Sequence, residues 1–419
     1  MPKGFEAGDT AFVLISAALV MLMTPALAFF YGGMVRVKSV LNMLLMSFIS
    51  LGVVSVLWVA YGYSLAFGND AGAGLVGDLS HAGMKGITGT TLTGTVPVFA
   101  FAAFQLMFAV ITPALISGSI ADRAKFGAWI LFIAVWVTLV YFPVAHWVWQ
   151  SDGWIYKLGV KDFAGGTAVH INAGMAALGA LLVLGKRLGF KKEEMRPHSL
   201  PLVMLGSGLL WFGWFGFNAG SALAANGTAS IAFLNTQVAT GAAMLGWLLW
   251  ERLCRGSFTS LGAASGAVAG LVAITPACAA VGVWGAMAIG LIAGVVCAWA
   301  VGLKDRLGYD DSLDVVGVHA VGGLIGTLLI GVYDTTDGLF AGAGAGQLGK
   351  QAVGAFSVAA FSLVMSWLLA KAIDLTVGFR VARHHEIAGL DQIVHAERAY
   401  DYAPTRVEVE PAASVAYGA

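Results

Sequence analysis

Charge is what this chain has least of. Only 11% of its 419 residues are Asp, Glu, Lys or Arg, where an ordinary soluble domain carries about 25%. Hydrophobic residues make up 58%. That balance excludes a soluble globular domain and points to a chain crossing a membrane many times. The 23 basic and 23 acidic residues cancel, so no net field selects a nucleic acid or other polyanion. Cysteine is nearly missing as well. Cys254, Cys278 and Cys297 have neither metal nor redox spacing, which removes a disulfide framework and leaves no thiol chemistry to pursue. Glycine, by contrast, is abundant at 56 residues, as suits helices that approach closely in lipid.

Apolar runs long enough to cross roughly 30 Å of hydrocarbon, about 20 residues each, fall near 10–33, 40–66, 97–120, 127–149, 164–185, 199–220, 229–250, 260–279, 281–303, 313–332 and 351–373. They predict an all-α polytopic membrane protein of eleven transmembrane helices. Ala26-Leu27-Ala28 imitates a leader cleavage site. However, Lys3 is balanced by Glu6 and Asp9, and the first run is long enough to span, so we expect it to be retained. With the N-terminus outside, only Lys3, Lys85, Lys157, Lys161 and Lys350 face outward; the other 18 basic residues lie inside. The positive-inside rule therefore places the C-terminus in the cytoplasm of a cell membrane protein.

The middles of these runs also lack carboxylates. Every Asp and Glu can be placed in a loop, a tail or a helix end, so a carrier that moves protons or sodium on intramembrane acids has no candidate residues. The ionisable groups left inside are His170 and His319, with His146 near an outer helix end.

His170 belongs to the stretch Asp162-Phe163-Ala164-Gly165-Gly166-Thr167-Ala168-Val169-His170-Ile171-Asn172. Val318-His319-Ala320-Val321-Gly322-Gly323 repeats Val169-His170-Ile171-Asn172-Ala173-Gly174 at valine, histidine and the small pair. Ile111-Thr112-Pro113-Ala114 likewise recurs as Ile274-Thr275-Pro276-Ala277, and Phe29-Phe30-Tyr31-Gly32-Gly33 has a looser echo in Phe215-Gly216-Phe217-Asn218-Ala219-Gly220. Each match is offset by five helices. An odd offset makes equivalent helices enter from opposite faces, which predicts an inverted 5+5 repeat with its site at the repeat interface. The halves are about 10–185 and 199–332. Helix 11, about 351–373, is an addition that completes a transmembrane domain 1–373, and 374–419 is a polar cytoplasmic tail.

A lone intramembrane histidine is as readily a hydrogen-bonded packing residue as a functional one. Repetition at the interface favours a pathway role for the pair. At about 1.5 Å per residue, His170 lies roughly 9 Å below the outer boundary and His319 roughly 10 Å above the inner one, so spacing does not establish that they touch. Asp162 could attract a cation, but an aspartate just before a helix is better read as a structural cap. Asp310, Asp311 and Asp314 take the same reading on the inner side. A membrane enzyme holding haem or a metal through His170 and His319 would need further ligands. No other His, Cys or carboxylate is placed to supply them, and nothing asks for a cofactor.

Asp162 to Gly174, together with Trp214-Phe215-Gly216-Phe217-Asn218-Ala219-Gly220-Ser221, resembles the signature of the ammonium transporter (Amt/Rh) family, in its Amt branch. Thr24-Pro25 to Val35, Phe104-Gln105-Leu106-Met107-Phe108, Ile274 to Cys278 and Asp310 to Gly323 extend the match over essentially the whole chain. The resemblance implies an outer ammonium recruitment site at Phe108, Trp149 and Ser221, with Phe104 nearby. It also implies a paired gate of Phe108 and Phe217 and a pore lined by His170 and His319. A small cation would lose several kcal/mol on entering a narrow apolar pore, so we expect neutral ammonia to cross it past two imidazoles able to relay a proton; whether the proton follows the ammonia is not fixed by the sequence. The resemblance further implies a homotrimer in the lipid bilayer and a PII-type signalling protein docking on the tail around Glu386 to Tyr400. Gln150-Ser151-Asp152-Gly153-Trp154 departs from the glycine-rich family pattern. Two alternatives stand beside this reading. One is an Rh-like electroneutral channel for ammonia or carbon dioxide, disfavoured by Trp149 and Ser221. The other is an ammonium sensor acting through a signalling partner.

Overall fold

The structure, a computed structural model, describes residues 4–400. Lys3, and the part of the tail beyond residue 400 with Arg406, lie outside the described residues. Among the described residues, ten helices are long and apolar enough to cross a membrane. They are α1 (Ala7–Met34), α2 (Val37–Phe67), α3 (Val98–Ile120), α4 (Phe126–Leu158), α5 (Gly166–Leu184), α6 (Leu200–Gly220), α7 (Gly227–Arg255), α9 (Val283–Leu307), α10 (Val316–Tyr333) and α11 (Gly346–Thr376). A shorter apolar helix, α8 (Ser260–Ile274), fills the remaining place.

The expected run 260–279 is therefore helix to Ile274 and turn beyond it. Pro276 has no N–H to continue the ladder, and the chain after Ile274 runs on in turns, with Ala277 N–H bonded to Ile274 O at 2.9 Å. The backbone this frees is reused. Phe163 N–H donates to Pro276 O at 3.1 Å, and the Asn235 amide donates to Cys278 O and Val281 O at 2.8 Å each. Pro113, its counterpart in the repeat, is instead carried inside the helix Val98–Ser117.

Packing follows the repeat. α1 lies on α6; α1 against α3 is echoed by α6 against α8, and α2 against α4 by α7 against α9. The two halves meet where α5 and α10 cross, and the small residues of the repeated frame permit that crossing. A Cβ on Gly174 would strike the backbone of Ala320, and one on Gly323 would come 2.9 Å from Gly166 O. α11 packs along α5, outside the repeat.

The start of the tail is not the loose solvated segment its composition suggests. α12 (Arg383–Ala388) and α13 (Leu390–Val394) dock on the end of the molecule that carries Arg123 and Arg187. Buried Glu386 accepts from Leu188 N–H at 2.6 Å and from Arg380 at 2.8 Å. Asp391 accepts from Leu41 and Asn42 N–H at 3.0 and 2.8 Å, satisfying orphan donors at the start of the α-helix Val40–Leu57.

Candidate functional site

Both histidines sit on π-helical turns, Gly166–Ile171 and Val316–Ala320. An extra residue in a turn re-aims a side chain, and such turns cluster at functional sites. Gly165 makes the first possible: its φ of 113° belongs to glycine, and a Cβ there would sit 2.7 Å from Val169. The turns bring the rings together. His319 Nδ1 lies 3.3 Å from His170 Nδ1, and the rings stack at 5.3 Å between centroids and 18° between planes. One ring must donate and the other accept along that contact, so the two carry opposite tautomers while both are neutral. His170 Nε2 is buried and has no protein partner.

Five aromatic residues continue the line from His170. Trp214 stacks on it at 5.4 Å and 19°, and Phe217 stands 6.1 Å away. Phe217 stacks on Phe108 at 4.1 Å, leaving no space between the two faces. Phe108 in turn meets Phe104 at 4.9 Å and presents its edge to Trp149 at 5.8 Å and 89°. Ser221 ends the α6 turn beyond Phe217, and its hydroxyl donates to Phe217 O at 2.8 Å, which keeps its lone pairs available as acceptors. Phe104, Phe108, Phe217, His170 and His319 are all buried, and Trp149 is partly exposed. A cavity of about 490 Å³, lined in part by Trp149, Asp162, Phe163 and Pro276, opens beside Trp149. Beside His319 lies a void of about 10 Å³, bordered also by Tyr31, Ser265 and Asp314.

Asp162 holds the near end of this line. Its Oδ1 accepts from Gly165 and Gly166 N–H at 2.8 and 2.7 Å, and its Oδ2 from Thr167 and Ala168 N–H at 2.8 and 3.0 Å. All four are donors at the start of α5. Its carbonyl takes the Trp149 indole N–H at 3.0 Å. Burial raises the Asp162 carboxyl above its ordinary value, while the four donors pull it down.

At the other end Asp311 has the equivalent position but fewer partners. Val316 N–H reaches its Oδ2 at 2.7 Å, and Oδ1 has none. Burial, with Asp314 adding to it, pushes the Asp311 carboxyl up to about 6. Neighbouring Asp310 shifts the other way: burial opposes ionisation, but Arg187 grips it in a fork at 2.7 and 3.0 Å and holds it below the ordinary value. Among the described residues, no group of three His, Cys, Asp or Glu side chains converges as a metal site.

Trp214 was not singled out as a site residue by sequence reasoning, which used it only as part of a motif. Its indole N–H donates to Thr275 Oγ1 at 2.8 Å, which fixes its face against His170. The repeat of Thr275-Pro276 with Thr112-Pro113 was the available signal.

An inverted repeat enclosing an apolar line of stacked aromatic rings and paired imidazoles defines a multi-pass membrane transport protein. The model of the Ammonium Transporter Family matches residues 11–400, and the chain belongs to that family. An ammonium transporter of Mycobacterium tuberculosis is 55% identical over 448 residues, covering 97% of this chain and 94% of its own. The crystal structure of Candida albicans Mep2 superposes with a TM-score of 0.86 at 33% identity, over 91% of this chain and 88% of that one. A structure described as a sensor Amt protein does so with a TM-score of 0.86 at 29% identity, over 92% and 98%.

Proposed function

We propose that this protein transports ammonium by recruiting it at Phe108, Trp149 and Ser221, with Phe104 behind them. Its proton is removed at the Phe108–Phe217 gate, and ammonia passes along His170 and His319. The observation that carries this reading is the unbroken contact line from Trp149 through Phe108 and Phe217 to the stacked imidazoles. Aromatic faces attract a cation with up to about 2 kcal/mol when desolvated, and the Ser221 oxygen adds an acceptor. Taking a small cation into a narrow apolar pore costs several kcal/mol even after relaxation. Recruitment cannot offset that, so the proton leaves before the narrow section. The contact between the Nδ1 atoms gives the proton its own route, because a paired donor and acceptor pass a proton along by exchanging tautomers.

Positive-inside placement of the Arg123 and Arg187 end makes the Trp149 mouth extracellular and the docked tail cytoplasmic. The family resemblance supports a homotrimer with one pore per subunit and a PII-type protein docking on the tail. Trp149 and Ser221 favour this reading over an Rh-like electroneutral channel. A sensing role through a signalling partner is a second reading, favoured by the likeness to a sensor Amt protein.

The test is uptake of labelled methylammonium into vesicles containing the purified protein, competed by ammonium. Saturable uptake that ammonium displaces is expected. Uptake equal to that of protein-free vesicles would overturn the reading.

A further inference from the structure

The loop at residues 68–78 is folded onto the helical stretch Phe142–Trp149 within α4, around Trp149. Trp147 Nε1 donates to Leu75 O at 2.6 Å, and Gln150 Nε2 contacts Phe67 O and Gly68 O at 3.0 and 3.1 Å. Trp154 N–H donates to Gly74 O at 3.2 Å. Gly74 has a φ of 71°, and a Cβ there would come within 2.6 Å of Trp154 N, so the loop and the helix end fit closely.

At the centre of this joint is His146, wholly buried one turn before Trp149. Its Nδ1 lies 3.1 Å from Ala66 O. A carbonyl only accepts, so Nδ1 carries a proton. Its Nε2 lies 3.4 Å from Asp70 Oδ1, off the line of a hydrogen bond, and has no other partner. Asp70 Oδ1 also accepts from Gly74 N–H at 3.0 Å, which fixes the carboxylate in the loop. The ring is thus held between Ala66 O on one nitrogen and the Asp70 carboxylate on the other.

We propose that His146, held by Asp70, is a positioning residue for Trp149. The pair locks the end of the stretch Phe142–Trp149 to the loop at residues 68–78, so that the indole is kept at right angles to Phe108 and bonded to Asp162 O. This rests on Trp149 being the recruiting aromatic. The pair touches neither substrate nor pore. It acts by fixing the angle at which a cation meets the tryptophan face.

The experiment measures the half-saturating ammonium concentration and the maximal flux in vesicles for His146→Leu, Asp70→Leu, Asp70→Asn, Trp149→Leu and the His146→Leu, Trp149→Leu double variant. His146→Leu and Asp70→Leu should each raise half-saturation roughly tenfold with maximal flux little changed, as expected of a misplaced binding group. Asp70→Asn, which keeps an oxygen for Gly74 N–H but removes the charge facing Nε2, should raise half-saturation less than Asp70→Leu does. The double variant should match Trp149→Leu alone, because both substitutions remove one effect. If Trp149→Leu raises half-saturation and neither His146→Leu nor Asp70→Leu does, the positioning role is wrong while the recruitment site stands. If Trp149→Leu itself has no effect, both fall. Asp70 lies in a loop, so its variants remain informative even if His146→Leu fails to assemble.

Discussion

In the frame around His170, an aspartate eight residues earlier takes four backbone N–H groups; in the frame around His319, an aspartate at the same spacing takes one and leaves Oδ1 bare. The π turns match, and so do the small residues that let the helices cross. The surroundings differ. Asp162 adjoins a sizeable cavity and the Trp149 indole, whereas Asp311 sits beside Lys304 and Asp314. Inverted symmetry thus fixes the histidine pair, and departures from symmetry separate the two mouths. One end is rigidly capped beside Trp149. The other carries a carboxyl whose charge changes near neutral pH.

The largest effect should separate the two caps. Asp162→Ala strands four buried donors and should cost on the order of 4 kcal/mol, against about 1 kcal/mol for Asp311→Ala. Thermal unfolding in detergent measures both, and equal losses would remove the distinction drawn between them. Next in size is Trp149→Leu, which should lower discrimination for ammonium over other cations by roughly tenfold, within the range of a desolvated cation–π contact. Asp311→Leu should leave that discrimination alone. Competition assays in vesicles would show either.

A smaller effect follows from the sign of the Asp311 shift. Its folded value, about 6, is above the ordinary 3.8, so the folded state favours the protonated acid. The stability this contributes is fully present below about pH 4 and is lost as pH rises through 6. Asp311→Asn mimics the protonated form. It should exceed the unaltered protein in stability above pH 6 by on the order of 2 kcal/mol, and converge with it below pH 4. A difference independent of pH would contradict this. Smallest for transport is removal of residues after Arg383, which should abolish capture of a PII-type protein and leave the Trp149-dependent selectivity unchanged.

Most of the helices were legible in the sequence because lipid demands long uncharged runs, and the repeat showed through Thr-Pro and Val-His pairs kept in register. The contact between His170 and His319 was not legible. Depth counted at 1.5 Å per residue assumes regular helix, and both histidines lie on π turns that shift the count. Pro276 also concealed the early end of α8, because the run stays apolar through Cys278 while the backbone turns. The packing of the tail depends on Glu386 and Asp391 meeting backbone donors far away in the chain, and composition carries no trace of such pairings. Asp70 and His146 are equally distant in sequence, and only the folded loop makes them neighbours.

The central claim is that ammonia and its proton part at the phenylalanine gate and that the histidine pair carries the proton. The direct test is the current across a solid-supported membrane containing the purified protein after an ammonium pulse, compared with a His170→Ala, His319→Ala double variant. The account predicts a current in the unaltered protein that disappears in the variant. A current of equal size in both, or internal alkalinisation by ammonia with no current in the unaltered protein, would contradict it.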